Sequence, residues 1–68
     1  MLLTLDSEAL KRLRLASADS QKTLAERAGI SEYWLMRLEQ GRRTVRPSTV
    51  RKLAAALNVS VDELTEVA

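Results

Sequence analysis

The stretch "LAERAGISEYWLMRLEQGRR", residues 24–43, decides how this chain folds. Two helical patterns meet in it at a single glycine, Gly29, which supplies the positive-φ turn that other residues adopt only at a cost. Before the glycine, Leu24, Ala25 and Ala28 share one side of a helix spanning Gln21–Ala28, capped by Ser20. After it, Ser31 caps a second helix that runs to about Gln40, with Gly41 expected as the residue that ends it. At about 100° per residue, this second helix turns Leu35 and Leu38 inward and Tyr33, Met36, Arg37 and Gln40 outward. Glu32 lies at its N-terminal tip, and Trp34 lies to one side, on the edge of the apolar stripe. A mixed aromatic and cationic face aimed away from its own core calls for an external partner.

Working outward, Asp6 is a good N-cap for a first helix over residues 6–17, in which Leu10 and Leu13 form a buried stripe with Ala9 and Ala16. Leu5 is placed to staple onto Leu10. "SADSQ" then marks a loop, because three cap-type residues fall in five positions. "RRTVRP" reads as a second loop. Pro47 opens a fourth helix, where its missing N–H costs nothing, and that helix continues to Leu57 with Asn58 as a left-handed stop. Ser60 to Glu63, "SVDE", is a capping box that opens a last short helix to about Val67. The expected fold class is therefore all-α: five short helices in one compact bundle, a single domain over residues 1–68.

Composition narrows the chemistry. The chain has no Cys and no His, which removes disulfides, the usual zinc and iron sites, and the commonest general base. No cluster of carboxylates, thiols or imidazoles is present to run a reaction, so neither an enzyme nor a cofactor is expected. Apolar residues make up 46%, mostly Leu and Ala, with one Trp, one Tyr and no Phe. No apolar run approaches the roughly 18 residues of a membrane span, and "MLLTL" is too short for a signal peptide's apolar region. The cytoplasm is the expected compartment. A core of this size supplies roughly 3–5 kcal/mol without staples or a partner chain.

The net charge of +2 is unevenly spread. Between Gln40 and Val61 stand Arg42, Arg43, Arg46, Arg51 and Lys52 with no acid, while the rest of the chain nets −3. Concentrated positive charge suits a polyanion-facing surface, and a solvated basic face is the alternative.

"SQKTLAERAGISEYWLMRLEQGRR" followed by "PSTVRKLAAALNVSVDEL" resembles the Xre family of helix-turn-helix domains, the Cro and phage-repressor type. The match covers Leu10 to Leu64, with Gln21, Leu24, Ala25, Ala28, Gly29, Ile30, Leu35 and Leu38 in the family's order. The resemblance implies a lambda-repressor-like DNA-binding fold whose helix-turn-helix is formed by helices 2 and 3. Ala25 is small because the two helices cross closely there. Gly29 sets their angle, and Ile30, Leu35 and Leu38 fill the junction. The resemblance also implies a buried ion pair between Arg14 and Glu39. One departure stands out: the family has Gly-Leu where this chain has Ala18-Asp19, which strains a left-handed position and thins the junction between helices 1 and 2.

By the same resemblance, Glu32, Tyr33 and Arg37 fall where family members read bases, and Trp34, Met36 and Gln40 are further groove candidates. Arg37 suits guanine O6 and N7, Glu32 suits cytosine N4, and Tyr33 suits a thymine methyl. Glu32 as a simple helix N-terminal charge, Tyr33 and Met36 as a protein-contact patch, and Trp34 as a core-edge filler stand as alternatives. Gln21, Ser31, Arg42, Arg43 and Arg46 are the phosphate candidates, with Arg51 and Lys52 either further anchors or solubilising charges. Three to five neutralised phosphates would give a salt slope of about −0.9 for each. The function implied is that of a small transcriptional repressor binding double-stranded DNA as a homodimer, on a palindrome with half-sites about 34 Å apart. The dimer surface would be the last helix, with Leu64 and Val67, or the N-terminal Leu2, Leu3 and Leu5, which could equally cover the core. An antitoxin that holds a toxin, or a protein-interaction module retaining the fold, are the competing readings.

Overall fold

The computed structural model describes residues 1–41 and 43–66; Arg42, Val67 and Ala68 lie outside the described residues. In chain order the elements are β1 (Leu3–Leu5), α1 (Ser7–Ala16), α2 (Gln21–Ala28), α3 (Glu32–Glu39), β2 (Arg43–Val45), α4 (Pro47–Leu57) and a closing 3-10 turn, Val61–Leu64.

Local chemistry starts and stops the helices much as the caps require. The Asp6 carboxylate accepts the Ala9 N–H at 3.0 Å, Ser20 Oγ accepts from Thr23 at 3.0 Å, and Ser31 Oγ accepts from Trp34 at 3.0 Å. Each cap satisfies one of the N–H groups that a helix start leaves without an internal partner. Pro47 is the first residue of α4, and Asn58 ends it in the left-handed region with φ 58. The Glu63 carboxylate accepts the Ser60 N–H at 2.9 Å, half of a capping box.

The all-α, five-helix expectation is corrected in two places. First, β1 and β2 form a two-stranded antiparallel sheet with Leu3 opposite Val45, Thr4 opposite Thr44 and Leu5 opposite Arg43. Half of the "RRTVRP" loop is thus a strand. Its partner is the N-terminal "LTL", and the pairing buries Leu5 and Val45 in the core. Second, the last element is a single 3-10 turn rather than an α-helix reaching Val67. Thr65 leaves it in an extended conformation and bridges to Leu5. Asp6 N–H donates to Leu64 O at 2.8 Å and Glu66 N–H donates to Thr4 O at 3.0 Å. The Thr4 carbonyl and the Asp6 N–H are paired this way, and a continuing helix could not supply those partners. Four α-helices and a small sheet are what the described residues contain.

Gly41 differs from expectation as well. Among the described glycines only Gly29 has positive φ, so α3 does not end on a left-handed Gly41. Gln40 ends it in near-helical geometry, and β2 begins at Arg43. The Ser7 hydroxyl donates to the Gly41 carbonyl, tying the start of α1 to the end of α3.

The core is built from Leu5, Leu10, Leu24, Leu35, Leu38, Val50, Leu53 and Leu64, all fully buried. Leu3, Leu13 and Ile30 pack against it from partly buried positions. Leu5 and Leu64 are therefore core residues and not free for a dimer contact. Leu2 remains 57% exposed, and Val67 lies outside the described residues.

Candidate nucleic-acid interface

Between α2 and α3, Gly29 takes φ 75 and ψ 32, and the Ile30 N–H donates to Ala25 O at 3.0 Å, closing the turn. A β-carbon built on Gly29 would meet nothing within 4 Å, so the backbone angle alone requires glycine here. Ala25 and Ala28 are buried on the facing side of α2, which lets α3 approach closely.

The orientation of α3 is set by Leu35 and Leu38, both 0% exposed. Tyr33 is 64% exposed on the opposite side, with Glu32 and Gln40 also exposed and Met36 and Arg37 half-buried. Trp34 is 38% exposed, so most of its surface is covered and the rest is open to solvent. The Arg37 guanidinium lies 3.4 Å from the Tyr33 hydroxyl, a long contact that aligns the two side chains more than it binds them.

A polar network locks α3 to α1 and α2. Arg14 Nε and Nη2 donate to the two Glu39 oxygens at 2.7 and 2.9 Å, a bidentate pair. The side chains are only 9% and 4% exposed. The hydrogen bond to Glu39 raises the Arg14 pKa above its ordinary value against the opposing effect of burial, so this guanidinium stays charged. Arg14 Nη1 also donates to the Asp19 carbonyl at 2.9 Å, and Gln21 Nε2 donates to Glu39 at 3.2 Å. Gln21, a phosphate candidate by position, thus has its amide engaged with the ion pair. Ser31 uses its oxygen lone pair for the cap and keeps its hydroxyl proton to donate.

Beyond α3, Arg43 opens β2 half-buried, and its Nε donates to the Arg37 carbonyl at 2.9 Å. Arg46 is exposed at the start of α4 and makes no capping bond. Arg51 and Lys52 are exposed on α4. Arg42, the remaining phosphate candidate, lies outside the described residues. Sequence reasoning missed one cluster: Arg27 Nε donates to Ala56 O at 2.9 Å, and its fork holds the Asp19 carboxylate. The hydrogen bond from Arg27 pulls the Asp19 pKa down and the reciprocal bond pushes that of Arg27 up. The signal for it was present, since Asp19 stands where an apolar residue was expected and needed a polar partner.

A family model described as a helix-turn-helix domain matches residues 7–67. The chain belongs to the helix-turn-helix family. Within it the type is that of the Cro and phage-repressor regulators. The chain is similar to the restriction-modification controller protein C.AhdI from Aeromonas hydrophila, with 35% identity over 84% of this chain and 86% of that one, at TM-score 0.79. It is also similar to SinR, the master regulator for biofilm formation, solved in complex with DNA: 28% identity, 82% and 90% coverage, TM-score 0.79. A third similar structure is a hydroxyethylphosphonate dioxygenase, with TM-score 0.81 and 26% identity, where the match spans 94% of this chain but 14% of that one. Curated protein sequences yielded no match. The helix-turn-helix architecture therefore also occurs as a small part of a larger enzyme, and function must be argued from the exposed residues.

Proposed function

We propose that the protein is a sequence-specific repressor that lays α3 in the major groove of double-stranded DNA. The observation that carries this reading is the combination on α3 and β2. A helix anchored by Leu35, Leu38 and Glu39 exposes Glu32 and Tyr33 at its N-terminal end, with Arg37 alongside, and is followed directly by arginines. In helix-turn-helix complexes the N-terminal residues of the second helix meet base edges. Arg37, Glu32 and Tyr33 take the base-reading roles, and Trp34, Met36 and Gln40 border them. Ser31, Arg42, Arg43 and Arg46 grip phosphates, with Gln21 contributing chiefly the N-terminal N–H groups of α2.

A module this small reads few base pairs, so the active species is a homodimer on a palindrome, acting in the cytoplasm. Outside α3, Met1, Leu2 and Leu15 are the large apolar side chains left exposed among the described residues, and they are the surface on offer to it. Similarity to C.AhdI and SinR supports the regulatory role, and the basic segment favours DNA over a purely protein-binding use of the fold.

Selection of bound duplexes from a random pool tests the reading. The expected product is an inverted repeat with half-site centres about 34 Å apart, bound with a log K versus log salt slope of about −0.9 per phosphate contacted. A binding constant indifferent to salt, or a pool that never converges, would sink it.

A further inference from the structure

The last four carbonyls of a helix lack internal partners and carry its partial negative charge. In α3 one of these belongs to Arg37, and it accepts two donors: the Gln40 N–H at 3.2 Å and Arg43 Nε at 2.9 Å. Arg43 is itself fixed at its backbone, because β2 pairs it with Leu5, a fully buried residue. A guanidinium has five N–H donors, so one bond to Arg37 leaves the outer fork available to a phosphate. The backbone carbonyl of the base-reading residue and the side chain of a phosphate anchor are thus joined by a single hydrogen bond.

We propose that Arg43 is a positioning residue for base selection, its Nε–H···O bond to Arg37 coupling the phosphate grip of β2 to the seating of α3 in the groove. The proposal rests on the DNA-binding reading above. A contact to phosphate alone would weaken all duplexes by one factor. A contact that also steers the helix alters the ranking of duplexes at the base pair that Arg37 reads.

Two substitutions separate the roles. Glutamine places its amide nitrogen at the same bond count from Cα as arginine's Nε, so Arg43→Gln keeps the donor to Arg37 and loses the charge. Lysine places a methylene there, so Arg43→Lys keeps the charge and loses the planar donor. Dissociation constants are measured over a salt series on the selected duplex and on duplexes changed one base pair at a time, after circular dichroism verifies folding. Arg43→Gln is expected to flatten the salt slope by about 0.9 while holding the best-to-altered ratios within about twofold. Arg43→Lys is expected to retain the slope and drop the ratio about fivefold or more at one base pair, the same one that Arg37→Ala affects. Combining Arg37→Ala with Arg43→Lys should then bring no further drop at that base pair. Equal losses on every duplex for both substitutions, or equal loss of ratio by both, would overturn the proposal while leaving the DNA-binding reading intact. Failure of the unaltered chain to prefer any duplex would overturn both.

Discussion

At the joint between α2 and α3 the left-handed residue is Gly29, with φ 75, and Ile30 beside it packs on the core. At the joint between α1 and α2 the left-handed residue is Ala18, with φ 59, and its neighbour Asp19 is held by Arg14 and Arg27. One joint meets its backbone requirement with the residue that has no β-carbon and seals itself with apolar contacts. The other puts a β-carbon where it costs roughly 1 kcal/mol and offsets that with charge-assisted hydrogen bonds. The turn at Gly29 is therefore the less salt- and acid-sensitive of the two, while the far end of α3 is held by the Arg14–Glu39 pair. The α1–α2 joint depends on groups that respond to pH and ionic strength.

The sharpest way to break the polar joint is at Glu39, whose partner Arg14 also donates to the Asp19 carbonyl. Glu39→Gln leaves a buried guanidinium without its counter-charge and should cost about 3 kcal/mol or more. For a domain of this size that lowers Tm by more than about 10 °C. A thermal melt shifted by less than about 2 °C would show the pair to be effectively solvated.

Next in size is the apolar joint. Gly29→Ala meets no neighbouring atom, so its whole effect is the left-handed backbone cost, about 1–2 kcal/mol in chemical denaturation. Gly29→Asn should cost less, since asparagine tolerates that region. An alanine variant as stable as the parent would mean that the turn relaxes to another conformation.

The converse change at the polar joint is smaller and opposite in sign. Ala18→Gly relieves the strain but gives the unfolded chain more freedom, which offsets about 0.4–1 kcal/mol of the gain. A net stabilisation below about 1 kcal/mol is expected, and any clear destabilisation would contradict the strain assigned to Ala18.

The smallest effect is the acid response of Asp19. The hydrogen bond from Arg27 holds its carboxyl below the usual range, with the Arg27 and Arg14 charges assisting against burial. A carboxylate depressed in the folded state binds its proton more readily when unfolded. Its contribution is present above the unfolded value near 4 and is lost as pH falls through the folded value. Asp19→Asn should thus be slightly less stable than the parent near neutrality, and the gap should close on acidification. A gap that stays constant down to about pH 2 would remove the Arg27–Asp19 pair from the account.

Helix boundaries were legible in the sequence because their causes are local. Ser20, Ser31, Gly29, Pro47 and Asn58 act on backbone groups within a turn of themselves, and the apolar stripe repeats at 3.6 residues. The family motif extended that legibility to the Arg14–Glu39 pair. The site was legible in outline for the same reason: outward positions on α3 follow from its inward leucines. How its polar side chains are spent was not, and Gln21 and Arg43 bond to Glu39 and to the Arg37 carbonyl.

What the sequence by itself determined is the helix-turn-helix and the face that α3 turns outward, since periodicity and caps act over a few residues. Only the tertiary structure decided that "LTL" pairs with "RTV", that Thr65 is extended and bridges to Leu5, and that Arg43 bonds to the end of α3. A three-residue strand carries too few residues to show a period of two, and its partner is chosen by proximity after the helices have packed.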